Sequence, residues 1–281
     1  MKNIIYAKNI RASIYKPKKC EIISINGITY IGGSNSIKEY SEAVLKNSAD
    51  IEQIISRAME VEKMIEYDAF SIKEDILLRY IKLGEILDKM GIVDKFYSNS
   101  ECTCMIESLD DLKDDSFEYF TSPENKELID NSILDFVNDF GLVGVNDIQD
   151  YFWGVNSLGE LDNFTISIIA EPISLIVNDI CCFYSFVKHA NPEYDMDFDI
   201  KVSLYCNQNK VWKSEYVFKS LWHLIRYSLV STLTSDGEGL RQCPQCNSWF
   251  IPSNPKAEYC SAACRNRYNV YKCRKAKKEN Q

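Results

Sequence analysis

Histidine is almost missing from this chain: there are two among 281 residues, His189 and His223. His189 falls at the end of a helical segment and His223 within an amphipathic one. A lone histidine in such a place is far more often a surface or satisfied core group than a catalyst. Other marks of catalysis are missing as well. There is no G-x-S-x-G elbow, no glycine loop of the kind that cradles phosphate, and no dinucleotide fingerprint. The sequence makes no positive case for an enzyme, and we read it as a non-enzyme. Long apolar runs are absent too. The most apolar stretch, 164–186, is interrupted by Glu171, Pro172, Asn178 and Asp179, which suits a core helix and not a membrane span. Only a few apolar residues follow Met1-Lys2 before Lys8 and Asn9, so no secretory leader is expected.

What is present is an ordinary globular composition, 46% hydrophobic and 26% charged, with 11 cysteines. An odd number of cysteines, several outside any framework spacing, points to a reducing cytoplasm. Four of them form a pattern. Cys243 and Cys246 are spaced C-x2-C, a thirteen-residue gap follows, and Cys260 and Cys264 are spaced C-x3-C. The first pair can put two sulfurs on one ion from a tight knuckle. The second, at i and i+4, puts two sulfurs on one face if both lie on a helix. Four thiolates suit one tetrahedral zinc with no open position, a structural site. A disulfide is disfavoured by a reducing compartment, and buried free thiols by the paired spacing. Trp249, Phe250 and Ile251 supply apolar cover for the metal, Ser253-Asn254-Pro255 is turn chemistry, and Ser261 can cap a helix over 262–278. The order knuckle, short hairpin, helix is that of a treble-clef-like finger.

The run Cys264-Arg265-Asn266-Arg267 resembles the CGNR signature of bacterial CGNR-type zinc fingers, with Arg265 in place of the glycine. Those fingers close proteins thought to be stress-induced or DNA-binding transcription regulators, often behind a domain called ABATE. The ligand pairs here are more closely spaced than is usual there, and Tyr259 stands where tryptophan is common. The stretch is more similar to a shorter variant, C-x2-C-x-x-[FYW]-F-[IL]-P … Y-C-S-x-x-C-R, at the ends of many bacterial proteins. Phe140-Gly141-Leu142-Val143-Gly144 also resembles a YGLLG element of such proteins. The resemblance implies a zinc-binding, DNA-binding transcriptional regulator.

Charge is divided unevenly along the chain. Residues 241–281 hold nine Lys/Arg and two acids, about +7. The remainder holds 23 basic and 39 acidic residues, about −16. Phosphate backbones attract the tail and repel the rest, so any nucleic-acid contact belongs to the last forty or so residues. Arg265, Arg267, Lys272, Arg274, Lys275, Lys277 and Lys278 are the candidates for duplex DNA phosphates, with one arginine able to reach a base edge. The competing reading is a protein-interaction or assembly subunit, for example of a bacterial defence or stress complex. There zinc is purely structural, and the basic helix docks on an acidic partner or on the acidic body itself. Cys273 is out of ligand register and reads as a free helix thiol.

The rest of the chain gives local structure and little chemistry. The strands 21–25 and 28–31 flank Asn26-Gly27, a strong hairpin signal, and 3–7 adds a third strand. Capping boxes open helices at Ser36 and Ser71, and 51–67 also has helical spacing. The helix from Ser71 ends near Gly91. Residues 101–107 read as a strand, with Cys102 and Cys104 in it, and 110–115 as a solvated acidic loop. Ser122-Pro123 starts a helix whose buried face is Ile129, Ile133, Leu134, Phe136, Val137 and Phe140, ended by Gly141. A long apolar helical segment over 161–188 has a break or fresh start at Glu171-Pro172, with Cys181 and Cys182 as packing residues. Asp195, Asp197 and Asp199 lack the rest of a calcium loop. Strands over 200–205 and 210–217 pair across Asn207-Gln208-Asn209, and 219–234 is helix.

These readings sum to an α+β protein: an N-terminal β-hairpin or sheet, a mostly helical body, and a C-terminal treble-clef-like zinc finger ending in a basic helix. The expected domains are a body over 1–235, with a sub-boundary near 95–121, a linker over 236–240, and the finger with its helix over 241–281. One structural zinc ion, a nucleic-acid partner for the tail, and a protein partner or second copy for the body are the implied associations. A membrane is not among them.

Overall fold

The computed structural model of the chain describes residues 10–16, 19–25, 28–33, 64–94, 122–144, 170–189, 201–206, 212–218, 220–234 and 239–279. Strands and helices are mixed, as the sequence indicates. The hairpin forms where Asn-Gly demands it. Strands β1 (Ile10–Tyr15), β2 (Cys20–Ile25) and β3 (Ile28–Gly33) open the chain, and Ile25 pairs with Ile28 across the two-residue connection. The third strand of that sheet comes from far away in sequence. It is β5 (Ala170–Pro172), giving the order β2-β3-β5. The expected strand at 3–7 lies outside the described residues.

A second sheet joins the two ends of the body. Strand β4 (Met64–Asp68) pairs antiparallel with β1, β7 (Trp212–Phe218) pairs parallel with β1 on its other side, and β6 (Lys201–Cys206) pairs antiparallel with β7. The antiparallel pairing of β6 with β7 is the one the sequence announces. The helix expected over 51–67 is corrected at its end: 64–68 is strand. Ile65-Glu66-Tyr67-Asp68 alternates as a strand does, and pairing with β1 over Arg11 to Tyr15 decides between the two periods. The earlier part of that segment, the capping box at Ser36, the 95–121 region and the Asp195 to Asp199 run lie outside the described residues.

Among the described residues, the helices of the body and tail are α1 (Ala69–Lys89), α2 (Pro123–Phe140), α3 (Ile173–His189), α4 (Leu221–Thr234) and α5 (Ala262–Glu279). The Ser71 box does not open α1. The helix starts two residues earlier, and the Ser71 hydroxyl donates to the Asp68 carbonyl at 2.8 Å from within the first turn. At the other end, the chain leaves α1 through Gly91, at φ +72°. In α2 the sequence signals hold. The Ser122 side chain accepts from the Asn125 N–H at 3.2 Å, proline follows it, Ile129, Ile133, Phe136, Val137 and Phe140 are buried, and the Gly141 N–H closes on Val137. Pro172 marks a fresh start, since α3 begins at the next residue.

Helix α1 runs through the middle of the core and touches α2, α3 and α4. Ile76, Leu77, Tyr80 and Ile81 are fully covered. At Gly84 the crossing with α3 is so close that a Cβ would stand 2.3 Å from the Tyr184 ring, a space only glycine leaves. A polar knot ties three helices inside this core. Asp179 of α3 accepts from the Tyr80 hydroxyl of α1, and from the Trp222 indole at 2.9 Å and the Arg226 guanidinium of α4. The guanidinium also lies 3.3 Å over the Trp222 ring.

The Phe140 to Gly144 element has a structural job next to this knot. The buried Glu171 carboxylate accepts the Val143 N–H at 2.9 Å and the Gly144 N–H, while the Val143 carbonyl accepts the Trp222 N–H at 2.6 Å. Gly144 sits at φ +78°, and a Cβ there would stand 2.5 Å from Ser220. The element is a backbone junction between α2, β5 and α4. No described helix is long and apolar enough to cross a membrane.

Candidate metal centre

The last described segment is built from turns, each closed by its own hydrogen bonds. Strands β8 (Arg241–Gln242) and β9 (Trp249–Phe250) pair antiparallel, with Arg241 opposite Phe250. Between them the Cys243 N–H donates to the Ser248 carbonyl at 3.0 Å, and the Asn247 N–H donates to the Cys243 carbonyl at 2.8 Å. Asn247 takes φ 60°, a left-handed conformation asparagine tolerates better than most residues. The chain therefore doubles back and presents Cys243 and Cys246 together. Downstream, Asn254 closes a turn on Lys256 and Ala257, and the Arg241 guanidinium pins the Ala257 carbonyl at 2.9 Å.

Ser261 then caps α5. Its hydroxyl oxygen accepts the Cys264 N–H at 3.2 Å, and its carbonyl accepts the Arg265 N–H at 3.1 Å. The cap and the helix start fall where the sequence places them. Cys260 and Cys264 do not both lie on the helix, because the cap leaves Cys260 before the first turn and Cys264 within it. The two sulfurs still meet, 3.5 Å apart.

All four sulfurs, of Cys243, Cys246, Cys260 and Cys264, lie within 4.8 Å of one another. Cys246 and Cys260 are 3.6 Å apart. A disulfide needs about 2.05 Å, far shorter than either separation. A tetrahedral ion at about 2.3 Å from each sulfur sets sulfur–sulfur distances near 3.8 Å. The donor set therefore fits a metal ion such as zinc and fills its coordination with protein ligands. Two ligands, Cys243 and Cys264, are buried, and Cys246 and Cys260 are exposed.

Protonation is uneven across the four. Burial opposes charge on Cys243, but the N–H groups of Cys260, Cys246 and Gln245 more than offset it and bring the thiol down to about 6. Burial and the sharing of its proton with Cys264, Cys246 and Cys243 push the Cys260 thiol up to about 12. A metal arriving at neutral pH meets one sulfur ready as thiolate and must displace the proton of another. Binding should weaken as pH falls, because the ligands must be deprotonated to hold the ion.

The apolar residues around the cysteines divide between two tasks. Among the described residues, Phe250, Ala257 and Tyr259 accompany Cys243 and Cys264 in the finger's small core. Trp249 and Ile251, expected to cover the metal, pack instead against the core of the body, as Leu240 does. The period of a strand explains it: neighbours 249 and 250 face opposite ways. The Trp249 N–H donates to Glu85 of α1 at 3.1 Å, and Glu85 also takes the Lys82 ammonium at 2.8 Å. Glu85 lies 7% exposed and was not singled out in the sequence, since its partner is 164 residues away. The finger is thus seated on α1, beside the Gly84 crossing.

Past its first turn α5 leaves this support. Tyr268 still rests near the Tyr259 ring at 5.4 Å. Arg265, Arg267, Lys272, Arg274 and Lys275 are exposed. Among the described residues, Arg265, Arg267, Lys272 and Arg274 make no hydrogen bond or ion pair through their side chains. Lys277 and Lys278 fall in the last turns of the helix. The cations share one helix. His189 is exposed at the end of α3, and His223 packs edge-on against Trp222 at 4.9 Å. Cys273 is exposed on α5, away from the four ligands.

Compared with known proteins, the chain matches no family model, no curated protein and no solved structure.

Proposed function

We propose that the chain is a zinc-stapled DNA-binding protein of the transcription-regulator kind, holding duplex DNA through α5. In this reading zinc is the ion of the four-cysteine site, and it roots a basic helix that the remainder of the chain would otherwise repel from phosphate. The observation that carries the reading is the state of the α5 cations. Seven Lys/Arg and a single acid, Glu279, occupy its 18 residues. Four of the cations are exposed and without a partner among the described residues. Like charges at this density repel one another unless a counter-charge is supplied. The resemblance to CGNR-type fingers points the same way. The body takes no catalytic part and would carry the contacts to a protein partner or a signal.

The test is binding of the zinc-loaded full chain to a mixed pool of duplex DNA across a salt series. Each displaced phosphate counterion contributes about 0.9 to the slope of log K against log salt. A variant with Arg265, Arg267, Lys272 and Arg274 all changed to Gln should bind far more weakly and with a shallower slope, by about 3 to 4 units. If the unaltered chain binds neither DNA nor RNA at low salt, the reading fails, and an acidic protein becomes the counter-charge of α5.

A further inference from the structure

We infer that α5 is a major-groove helix, and that the face bearing Arg267, Val270, Tyr271 and Arg274 meets the base edges of B-form duplex DNA. The inference rests on the DNA-binding reading above and names the form of nucleic acid it takes. Three observations carry it. First, these four residues are spaced i, i+3, i+4 and i+7, so they share one helix face. Cys264 and Tyr268, which the finger holds, border this face on its Tyr271 side, Cys264 lying seven residues before Tyr271. Second, this face is not purely cationic. Val270 is 50% exposed and Tyr271 63%, side by side among arginines. Attraction to phosphate alone gives no use to an exposed valine. The thymine methyl group offers apolar contact in the major groove, and the minor groove has no equivalent.

Third, the shape fits. Beyond Tyr268 the helix continues to Glu279, eleven residues or about 16 Å, and Asn269 to Lys275 are exposed without a break. A helix about 10–12 Å across enters a B-form major groove about 12 Å wide. The deep, narrow major groove of A-form RNA does not admit it. The spacing of Arg267 and Arg274, two turns or about 10.5 Å along the axis, lets one guanidinium engage phosphate while the other reaches a guanine edge.

The experiment uses the zinc-loaded full chain and a fluorescent mixed-sequence 24-base-pair duplex, made as DNA and as RNA. Methyl green, which occupies the major groove, and distamycin, which occupies the minor groove, serve as competitors. DNA should be bound at least about tenfold more tightly than the RNA duplex. Methyl green should displace the protein and distamycin should not. In selection from random duplexes, the Val270→Ala/Tyr271→Ala variant should lose sequence enrichment yet keep the salt slope of the unaltered chain. Both side chains are exposed, so zinc content and helicity of this variant should be unchanged. Equal binding to DNA and RNA, displacement by distamycin, or undiminished enrichment by the variant overturns the inference while leaving DNA binding in place. Failure of the unaltered chain to bind any duplex sinks both readings.

Discussion

The body and the finger solve the same problem with different materials. The body has residues enough to bury side chains on several elements at once: α1 alone contributes Ile76, Leu77, Tyr80, Ile81, Leu83 and Leu87 to its core. The finger has one buried aromatic, Phe250, and two buried cysteines. Apolar burial can hold the first and cannot hold the second, because a segment of that size recovers too little surface from water to offset its chain entropy. Four sulfurs with a common centre supply what the missing core cannot. The lesson concerns fragility. The body should fail gradually under substitution, and the finger all at once when its ion is lost.

The strongest break of this contrast is removal of the metal. Changing Cys243 and Cys246 to Ser should abolish binding of one zinc per chain and melt the finger with the root of α5, a loss on the order of 10 kcal/mol of metal-linked folding energy. The body should keep its own cooperative transition. Metal analysis with far-UV circular dichroism checks both halves. A variant that retains full zinc would refute the four-cysteine assignment.

Within the body, the comparable single change is at Asp179. The carboxylate is 6% exposed and serves Tyr80, Trp222 and Arg226 together. Asp179→Ala removes the buried ion pair with Arg226 and the acceptor of Tyr80 and Trp222 at once, which costs about 3–5 kcal/mol. Denaturant melts should show the loss, with zinc content unchanged. A cost below 1 kcal/mol would mean the knot is dispensable.

These two predictions also mark what the sequence made legible. The cysteine spacing, the Asn-Gly hairpin, the Ser122-Pro123 start and the apolar faces of α2 and α4 are local patterns, each contained in one short continuous stretch of chain. Asp179, Glu171 and Glu85 were not legible as partners of Arg226, Val143 and Trp249, because those contacts join residues 28 to 164 positions apart. Local pattern also misled at 64–68, where pairing with β1 overrode a helical spacing, and at Ser71, where the chain turned helical before its apparent cap. At the metal site the ligands were readable from spacing alone, while the seat of the finger on α1 was not.

That seat is where the two regions can be uncoupled. Trp249→Ala removes the packing against the body and leaves the cysteines intact. It should lower the body's stability by about 1–3 kcal/mol, less than full burial of a tryptophan is worth, because Trp249 is only half-buried. Zinc affinity should change little. Hydrogen exchange in α1 around Glu85 should rise in the variant, whereas a purely local role in the finger would leave α1 protected as before.

The smallest effect sharpens the comparison most, because the same chemistry occurs on both sides of it. Ser122 caps α2 in the body and Ser261 caps α5 in the finger, each accepting the N–H three residues on at 3.2 Å. Loss of either hydroxyl should cost about 1 kcal/mol. In the body, Ser122→Ala should appear as a lower unfolding midpoint and nothing else. In the finger, where the four cysteines fit a metal ion, folding and metal binding should be one equilibrium, so Ser261→Ala should appear as zinc affinity weakened about fivefold in competition with a chelator. The capped N–H is that of Cys264, itself a ligand, so the substitution loosens the turn that sets the Cys260–Cys264 separation. An unchanged zinc affinity would mean that the finger is held by something other than its ion, and the contrast between the two regions would collapse.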